Sequence, residues 1–303
     1  MLRILIAPNS FKECADSVTI SGYIESDLRR LLREKYKTSF TPIVRPISDG
    51  GDGFLEVCRE IFNLKILQYK ISSPWDETPV NCQVGYSKDR GIIFIESANV
   101  LGMKIIPKER RNPLLLSSKG MGELLLQLKE DKAKGELSFG KVVVGIGGTG
   151  ISDFGIGMCS VLGLKLFSSS SEELVPIAQN FSETSKIVWQ KPELPYEIEV
   201  ILDVDNPLLG DNGACRVFSR QKGATDAQVE LLESGISKLV NLLREEFPDN
   251  NNKPLYGAGG GLAAAFSYLL DAESKFARDF IRKDLSINKN LKADLVITGE
   301  GTF

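Results

Sequence analysis

Val-Val-Val-Gly-Ile-Gly-Gly-Thr-Gly-Ile-Ser-Asp-Phe-Gly-Ile-Gly occupies residues 142–157. Its β-branched start predicts a buried strand, its glycines predict a tight loop, and the apolar residues that follow predict a helix. Glycines allow several backbone N–H groups to approach one point, and the start of a helix adds partial positive charge there. The stretch therefore indicates an α/β fold whose loop binds an anion such as phosphate, with a plain tight turn as the alternative.

The composition is that of an ordinary soluble globular protein. The chain has 303 residues, of which 42% are hydrophobic and 25% charged, and its formal net charge is −3. This length allows two domains. The chain lacks the basic cluster of a nucleic-acid-binding protein and the run of about 18 apolar residues of a membrane span. Its five scattered cysteines favour reduced thiols, so we expect a cytoplasmic protein that binds neither nucleic acid nor membranes.

The chain contains no histidine. This excludes a Ser-His-Asp triad, a Cys-His dyad and every histidine-ligated metal site. A general base would have to be Asp, Glu, Lys or a less usual group. A bound metal would be coordinated by oxygen, which favours Mg²⁺ or Mn²⁺.

The order of the predicted elements indicates two domains. Strands at residues 2–8 and 42–47, each followed by a helix, have the β-α-β rhythm of a doubly wound sheet. The next part of the chain has short strands with no room for helices between them, which indicates antiparallel or mixed pairing and a domain boundary near residue 70. These strands are predicted around residues 64–71, 79–86, 92–96 and 101–106.

Loops rich in glycine or acidic residues follow four predicted strands. Ligands of open α/β sheets bind beyond the carboxyl ends of the strands. Carboxylates gathered there would repel one another unless Mg²⁺, Lys12 or Lys222 joined them. Glycines for phosphate, acids for Mg²⁺ and a lysine for the transferring oxygens describe a phosphoryl-transfer site. The loops are residues 49–53, 147–153, 257–261 and 299–301, and the acids are Asp49, Asp52, Asp153, Asp203, Asp205 and Glu300.

Each of these signals, taken singly, has a structural alternative. Asp-Gly pairs commonly form turns because Asp bonds to its own backbone. Lys12 could be a solvated surface lysine, and Asp203 and Asp205 could cap a turn before Pro207. The glycines at 257–261 could serve only close helix packing. The position of all these loops after strands is what favours a site.

Six blocks occur in order along the whole chain, among them Ile-Ala-Pro-Asn-Ser-Phe-Lys at 6–12 and Ser-Asp-Gly-Gly-Asp-Gly at 48–53. The others lie at residues 147–153, 203–210, 221–225 and 295–301. Together the blocks resemble the bacterial glycerate kinase family (type I). That family commonly has Asp at the position of Asn9, Glu at that of Asp52 and Asn at that of Ser152.

The resemblance implies ATP-dependent phosphorylation of glycerate, usually giving 2-phosphoglycerate, in a cleft between two α/β domains. It also implies that the second domain is inserted into the first. We accordingly expect a Rossmann-like doubly wound parallel sheet in residues 1–70 plus 290–303 and a mixed α/β domain in residues 71–289. The expected small molecules are glycerate, ATP and Mg²⁺. The oligomeric state stays open, and a homodimer is one candidate.

The matching blocks suggest residue roles. Asp49 and Asp153 are expected to hold Mg²⁺ or to accept the proton of the substrate hydroxyl, in an order that the sequence does not settle. Lys12 is the expected counter-charge to the transferring phosphoryl oxygens or the glycerate carboxylate. Asp203 and Asp205 are candidate Mg²⁺ ligands. The expected substrate- or phosphate-binding residues are Ser10, Gly50, Gly51, Gly147, Gly148, Thr149, Lys222 and Glu300.

Two other functions and one further expectation accompany this interpretation. The loops could serve a nucleotide-dependent oxidoreductase of small hydroxy acids, although an acidic residue about 20 positions after the glycine loop is missing. A non-catalytic sensor of small acids is the other alternative. Because the family continues past the loop at 299–301, and because residues 295–298 read as an interior strand, we expect a truncated and inactive chain.

Overall fold

The computed structural model describes residues 2–11 and 14–301. Lys12, one of the predicted catalytic residues, therefore lies outside the described residues. The strands are Leu2–Ile6 (β1), Phe40–Val44 (β2), Lys65–Ser72 (β3), Pro79–Ser87 (β4), Ile92–Glu96 (β5), Lys141–Ile146 (β6), Lys165–Phe167 (β7), Glu173–Leu174 (β8), Lys186–Val188 (β9), Glu197–Leu202 (β10), Glu273–Phe276 (β11) and Leu295–Ile297 (β12). The α-helices are Ser17–Tyr36 (α1), Phe54–Phe62 (α2), Ala98–Leu101 (α3), Lys119–Ala133 (α4), Ile156–Val161 (α5), Ala214–Phe218 (α6), Asp226–Glu246 (α7), Leu262–Leu270 (α8) and Ala277–Lys283 (α9).

A six-stranded mixed sheet has the strand order β11-β10-β6-β5-β4-β3. The first four of these strands are parallel, and β4 and β3 continue the sheet in antiparallel pairing. Val142, Val143 and Val144 in β6 are at most 3% exposed, and because successive side chains point to opposite faces, both faces of this strand are covered. Because β5, β6 and β10 are parallel, the loops that follow them emerge at the same edge of the sheet.

A smaller parallel sheet, in the order β12-β1-β2, joins the two ends of the chain. Helix α1 packs on it through Ile24, Leu28 and Leu32, which contact the buried Ile4 and Ile6. The mixed α/β class of the prediction is therefore confirmed. The two-domain arrangement itself stays a prediction.

A domain boundary near residue 70 would group α2 and β3 with the smaller sheet, but both pack with the larger one. Phe54 and Leu55 of α2 are buried in one cluster with Phe94, Val143 and Ile201 of the larger sheet. The strand β3 pairs with β4 along its whole length. Residues 54–70 thus pack with the larger sheet, because the apolar face of α2 is covered there.

Two predicted strands differ from the structure. Residues 101–106 form no strand: Leu101 ends α3, and the residues after it form a turn, where the Nη2 of Arg111 donates to the carbonyl of Met103 (2.8 Å). The predicted interior strand at 295–298 is β12, which pairs with β1 and has no second neighbour among the described residues. Leu295 and Val296 are accordingly 47% and 56% exposed.

The cysteines are all free, in agreement with the prediction of reduced thiols. Within residues 2–11 and 14–301, no helix has both the length and the apolar character that crossing a membrane requires.

A close helix crossing provides a test of the packing. A Cβ added to Gly122 in α4 would lie 2.3 Å from the carbonyl oxygen of Met158 in α5. We expect Gly122→Ala to lower the free energy of unfolding by about 1–3 kcal/mol, since backbone cannot easily give way. The matched control is Gly22→Ala in α1, where an added Cβ meets nothing within 4 Å. That change should raise the free energy of unfolding by up to about 1 kcal/mol. Equal effects of the two substitutions in urea unfolding would contradict the packing.

Candidate active site

A cleft with a volume of about 530 Å³ lies where the carboxyl ends of parallel strands from the larger and the smaller sheet meet. The loops after β1, β2 and β12 contribute one side, and those after β6 and β10 contribute the other. The lining residues are Asn9, Ser10, Asp49, Gly51, Asp52, Met103, Lys104, Gly147, Gly148, Thr149, Asp203, Val204, Phe218, Gln221, Lys222, Ala258, Gly259, Gly260, Glu300 and Gly301.

Most of the predicted site residues meet in this cleft. Three described ones are not among the residues that line it: Gly50, Asp153 and Asp205. Lys12 lies outside the described residues. The predicted residues that line the cleft are Ser10, Asp49, Gly51, Gly147, Gly148, Thr149, Asp203, Lys222 and Glu300.

The loop of residues 49–53 presents Asp49 to the cleft. The Oδ1 of Asp49 accepts a hydrogen bond from the backbone N–H of Gly51 (3.0 Å), and its Oδ2 accepts one from the Nδ2 of Asn9 (3.4 Å). Gly50 turns the chain with a φ of +98°, and an added Cβ there would lie 2.9 Å from the carbonyl oxygen of Ile201. Gly50 therefore supports the loop from behind, and Asp49 points into the cleft with a defined orientation.

The loop after β6 touches the first loop directly. A Cβ on Gly147 would lie 2.6 Å from the Cα of Gly51 and 3.0 Å from the Oδ2 of Asp203. Gly148 has a φ of +65°, in the left-handed region that favours glycine. Only a loop without side chains can approach so closely, and its backbone N–H groups then suit an anion.

Asp203 follows β10 and has an unusual environment. Its Oδ1 is buried and finds no hydrogen-bond partner in the described part of the chain. Burial, and secondarily the nearby Asp49, raise the pKa of its carboxyl group to about 7. A buried, unpaired carboxylate oxygen is costly, so the site favours a cation or a proton at this point.

Lys222 is a buried cation that lines the cleft. Its side chain is only 4% exposed, and burial lowers the pKa of its amino group to about 8. The Nζ donates to the carbonyl oxygen of Ile151 (2.7 Å) and to the Oγ1 of Thr149 (3.5 Å). Since an ammonium group has three donors, one remains for a ligand. A Cβ on Gly260 would lie 3.0 Å from this Nζ, so a glycine there makes room for the amine.

Asp153, which is predicted to act in catalysis, does not line the cleft, and its catalytic role stays a prediction. Its side chain is 0% exposed. Its Oδ2 accepts hydrogen bonds from the N–H (2.7 Å) and Oγ (2.8 Å) of Ser118 and from the N–H of Gly157 (3.1 Å), and its Oδ1 accepts one from the N–H of Gly155 (3.1 Å). Burial raises its pKa although these bonds act in the opposite direction. Asp153 thus ties the starts of α4 and α5 together, where backbone N–H groups lack partners within the helices.

The predicted metal pair is also not assembled in the cleft. Asp205 is exposed and does not line the cleft, whereas Asp203 does. Among residues 2–11 and 14–301, no group of three or more His, Cys, Asp or Glu side chains is arranged to hold a metal ion. A metal would therefore need ligands from a bound substrate in addition to carboxylates, as is usual for Mg²⁺ with phosphates.

The cleft also contains residues that the sequence interpretation did not assign. Lys104 and Asp52 both line the cleft and form an ion pair, at 2.9 Å between Nζ and Oδ2. Phe218 and Met103 add apolar surface. Gln221 lies beside Lys222 in the block 221–225, which matches the family, so the sequence could have predicted a place for it in the site. No sequence pattern indicated Lys104, because it lies in the segment that was predicted to be a strand.

Comparison with known proteins agrees with this arrangement. The profile of the Glycerate kinase family matches residues 4–303. The glycerate 2-kinase of Escherichia coli K12 is 33% identical over 305 residues, which cover 99% of this chain and 77% of that protein. The glycerate kinase of Halalkalibacterium halodurans is 32% identical, with coverages of 99% and 77%.

A solved structure gives the same result for the fold. A protein of Salmonella typhimurium LT2, described as a candidate glycerate kinase 2, superposes with a TM-score of 0.80 at 30% identity. The match covers 99% of this chain and 79% of that one. These alignments do not support the expected truncation. The chain belongs to the glycerate kinase family.

Proposed function

We propose that this chain transfers the terminal phosphoryl group of ATP to a hydroxyl group of glycerate. The observation that carries the proposal is the meeting of two glycine-bearing loops, two carboxylates and a buried lysine in one cleft. We take the 2-hydroxyl as the acceptor, because the relative from Escherichia coli is named glycerate 2-kinase. The product would be 2-phosphoglycerate.

The glycine loop after β6 would bind phosphate oxygens. Gly148 has no side chain to cover its backbone N–H group, and Thr149 adds a hydroxyl group. The N–H of Gly147 already donates to the Oγ of Ser97, so Gly147 contributes the close approach of the loop and not a donor. Such a concave backbone surface binds anions without a dedicated cation. Gly51, in contact with Gly147, would complete the same surface from the other loop.

Two of the four carboxylates that line the cleft, Asp49 and Asp203, would have different tasks. Asp203 has the buried, unpaired Oδ1 and is the better candidate to hold Mg²⁺ together with phosphate oxygens of ATP. Mg²⁺ would supply charge neutralisation at the phosphates. Asp49 is held by Gly51 and Asn9, so we assign it to orient the hydroxyl group of glycerate and accept its proton. Phosphoryl transfer with a loose transition state asks more of such positioning than of basicity.

Lys222 would stabilise negative charge on the transferred phosphoryl group. Its Nζ is fixed by Ile151 and Thr149, so it requires little reorganisation when charge develops. Ser10 and Glu300 come from the smaller sheet and line the opposite side of the cleft. We assign that side to glycerate.

Turnover tests the proposed function. We expect the full chain with ATP and Mg²⁺ to release ADP only when D-glycerate is added, as measured in a coupled assay. Binding of glycerate without ADP release would instead support the sensor alternative. A change in nicotinamide absorbance with small hydroxy acids would support the oxidoreductase.

Asp49 and Asp153 were given the same expected role from the sequence, but their substitution should have different effects on activity and stability. Asp49→Asn should lower kcat by about 100-fold and leave the thermal midpoint unchanged, because it removes a group that touches substrate. Asp153→Asn should lower the free energy of unfolding by about 1–3 kcal/mol, because an amide NH₂ would face backbone N–H donors. Its kcat per folded molecule should stay close to that of the parent chain. The opposite pattern in kinetics and urea unfolding would restore the original assignment of Asp153.

Asp203 provides a test of metal binding. Asp203→Asn should raise the Mg²⁺ concentration for half-maximal activity by about tenfold or more. The matched control is Asp205→Asn, two residues away and exposed outside the cleft, which should leave the Mg²⁺ requirement unchanged. Undiminished turnover of the parent enzyme in excess chelator would refute a role for the metal.

Lys222 predicts an alkaline limit of activity. Because burial lowers its pKa to about 8, the amino group is charged below this pH and neutral above it. The value of kcat/KM for ATP, which reports the free enzyme, should fall about tenfold for each pH unit above this pKa. Lys222→Gln should be less active throughout and should show no such limb. An unchanged limb in that variant would assign it to another group.

A further inference from the structure

Residues 96–104, which we call the brace, connect the end of β5 with the cleft. The brace begins with Glu96, the last residue of β5, passes through α3 and reaches the cleft at Met103 and Lys104. The sequence analysis assigned the brace no part in the site. Its contacts nevertheless fall on the two loops that carry the proposed chemistry.

The start of the brace holds the first loop. Glu96 is 5% exposed, and its Oε2 accepts a hydrogen bond from the backbone N–H of Leu55 (2.9 Å) in the first turn of α2. The backbone of Gly53 bonds to the same carboxyl group. Glu96 therefore caps the helix that begins directly after the loop of Asp49. Burial, and to a smaller extent the nearby Asp52, raise its pKa to about 7.

The middle of the brace holds the second loop. The Oγ of Ser97 accepts a hydrogen bond from the N–H of Gly147 (3.2 Å) and donates to its carbonyl oxygen (3.1 Å). Further along, the N–H of Met103 donates to the carbonyl of Gly148 (3.0 Å), and the N–H of Gly150 donates to the carbonyl of Leu101 (2.7 Å). One short segment thus satisfies backbone groups along the whole glycine turn.

The end of the brace returns to the first loop. The Nζ of Lys104 lies 2.9 Å from the Oδ2 of Asp52. The brace therefore contacts the first loop at both of its ends and the second loop in between. Glu96 and Ser97 themselves do not line the cleft, so they would act through other residues.

We propose that Glu96 and Ser97 are positioning residues, which together set the distance between Asp49 and the phosphate-binding glycines. They are neighbours in sequence, so the chain links the two loops rigidly at the end of one strand. The inference rests on the proposed function, because it concerns how that site is assembled. Displacement of reacting groups by about 1 Å can cost about 100-fold in rate, so such a link matters to turnover.

Three variants and one control test the brace. Glu96→Ala removes the cap, Glu96→Gln keeps an acceptor for the N–H of Leu55 without the charge, and Ser97→Ala removes the hydroxyl bridge to Gly147. The control is Glu199→Gln, since Glu199 is also buried (3% exposed) but pairs with Lys141 and Lys275 away from the cleft. Steady-state kinetics, thermal midpoints and amide hydrogen exchange of all five proteins, the parent included, are measured.

We expect Glu96→Ala and Ser97→Ala to lower kcat by about tenfold or more while KM for ATP changes less than threefold. Glu96→Gln should recover most of that loss. Amides of residues 53–55 should exchange faster in Glu96→Ala, and those of residues 147–150 in Ser97→Ala. The control should keep its kcat and its loop exchange whatever happens to its thermal midpoint.

Loop exchange and kcat that match the parent in both alanine variants would overturn the proposal. A loss of kcat in Glu199→Gln equal to that of the alanine variants would also overturn it, because substitution of a buried carboxylate far from the cleft would then have the same effect. If the parent chain releases no ADP with glycerate, the proposed function fails. The exchange measurement then still decides on the brace, because it needs no turnover.

Discussion

The contact between Gly51 and Gly147 is the constraint on which the site depends. A Cβ on Gly147 would come within 2.6 Å of the Cα of Gly51, so two backbones touch with no side chain between them. One loop follows β2 of the smaller sheet and the other follows β6 of the larger one. This contact brings Asp49, held on the first loop, next to Asp203, which follows β10. A larger residue at position 147 would separate the loops and the carboxylates with them.

Burial of charged groups costs electrostatic free energy, and several groups in or beside the cleft show this cost as shifted pKa values. Burial raises the pKa of Asp203 and Glu96 to about 7 and lowers that of Lys222 to about 8. Each group is thus brought near the point where it loses its charge at neutral pH. Perturbed values of this kind are typical of functional sites. A bound anion would stabilise the charged form of Lys222, and a bound cation that of Asp203. Such a pair of ligands agrees with a site for nucleotide phosphates.

Asp153 illustrates how a signal in the sequence acquires another meaning in three dimensions. It stands a few residues after the glycine loop, where a metal ligand or base is expected. In the fold its carboxylate faces backbone N–H groups at the starts of two helices and the hydroxyl of Ser118. Four hydrogen bonds occupy a carboxylate fully. The same residue type and spacing thus connect the starts of two helices next to the glycine loop.

Local patterns in the sequence were sufficient for many of the elements and for most of the predicted residues that line the cleft. The β-branched residues 142–144 followed by glycines identify β6 and its loop. The position after a strand places Gly147 and Asp203 at the carboxyl edge of the larger sheet and Asp49 at that of the smaller one. The mixed α/β class follows from the same alternation of patterns. The tertiary structure alone decided which acids face the cleft, because burial and hydrogen-bond partners separate Asp153 and Asp205 from Asp203. It also decided the role of residues 96–104, whose backbone bonds to distant loops leave no periodic trace in the sequence.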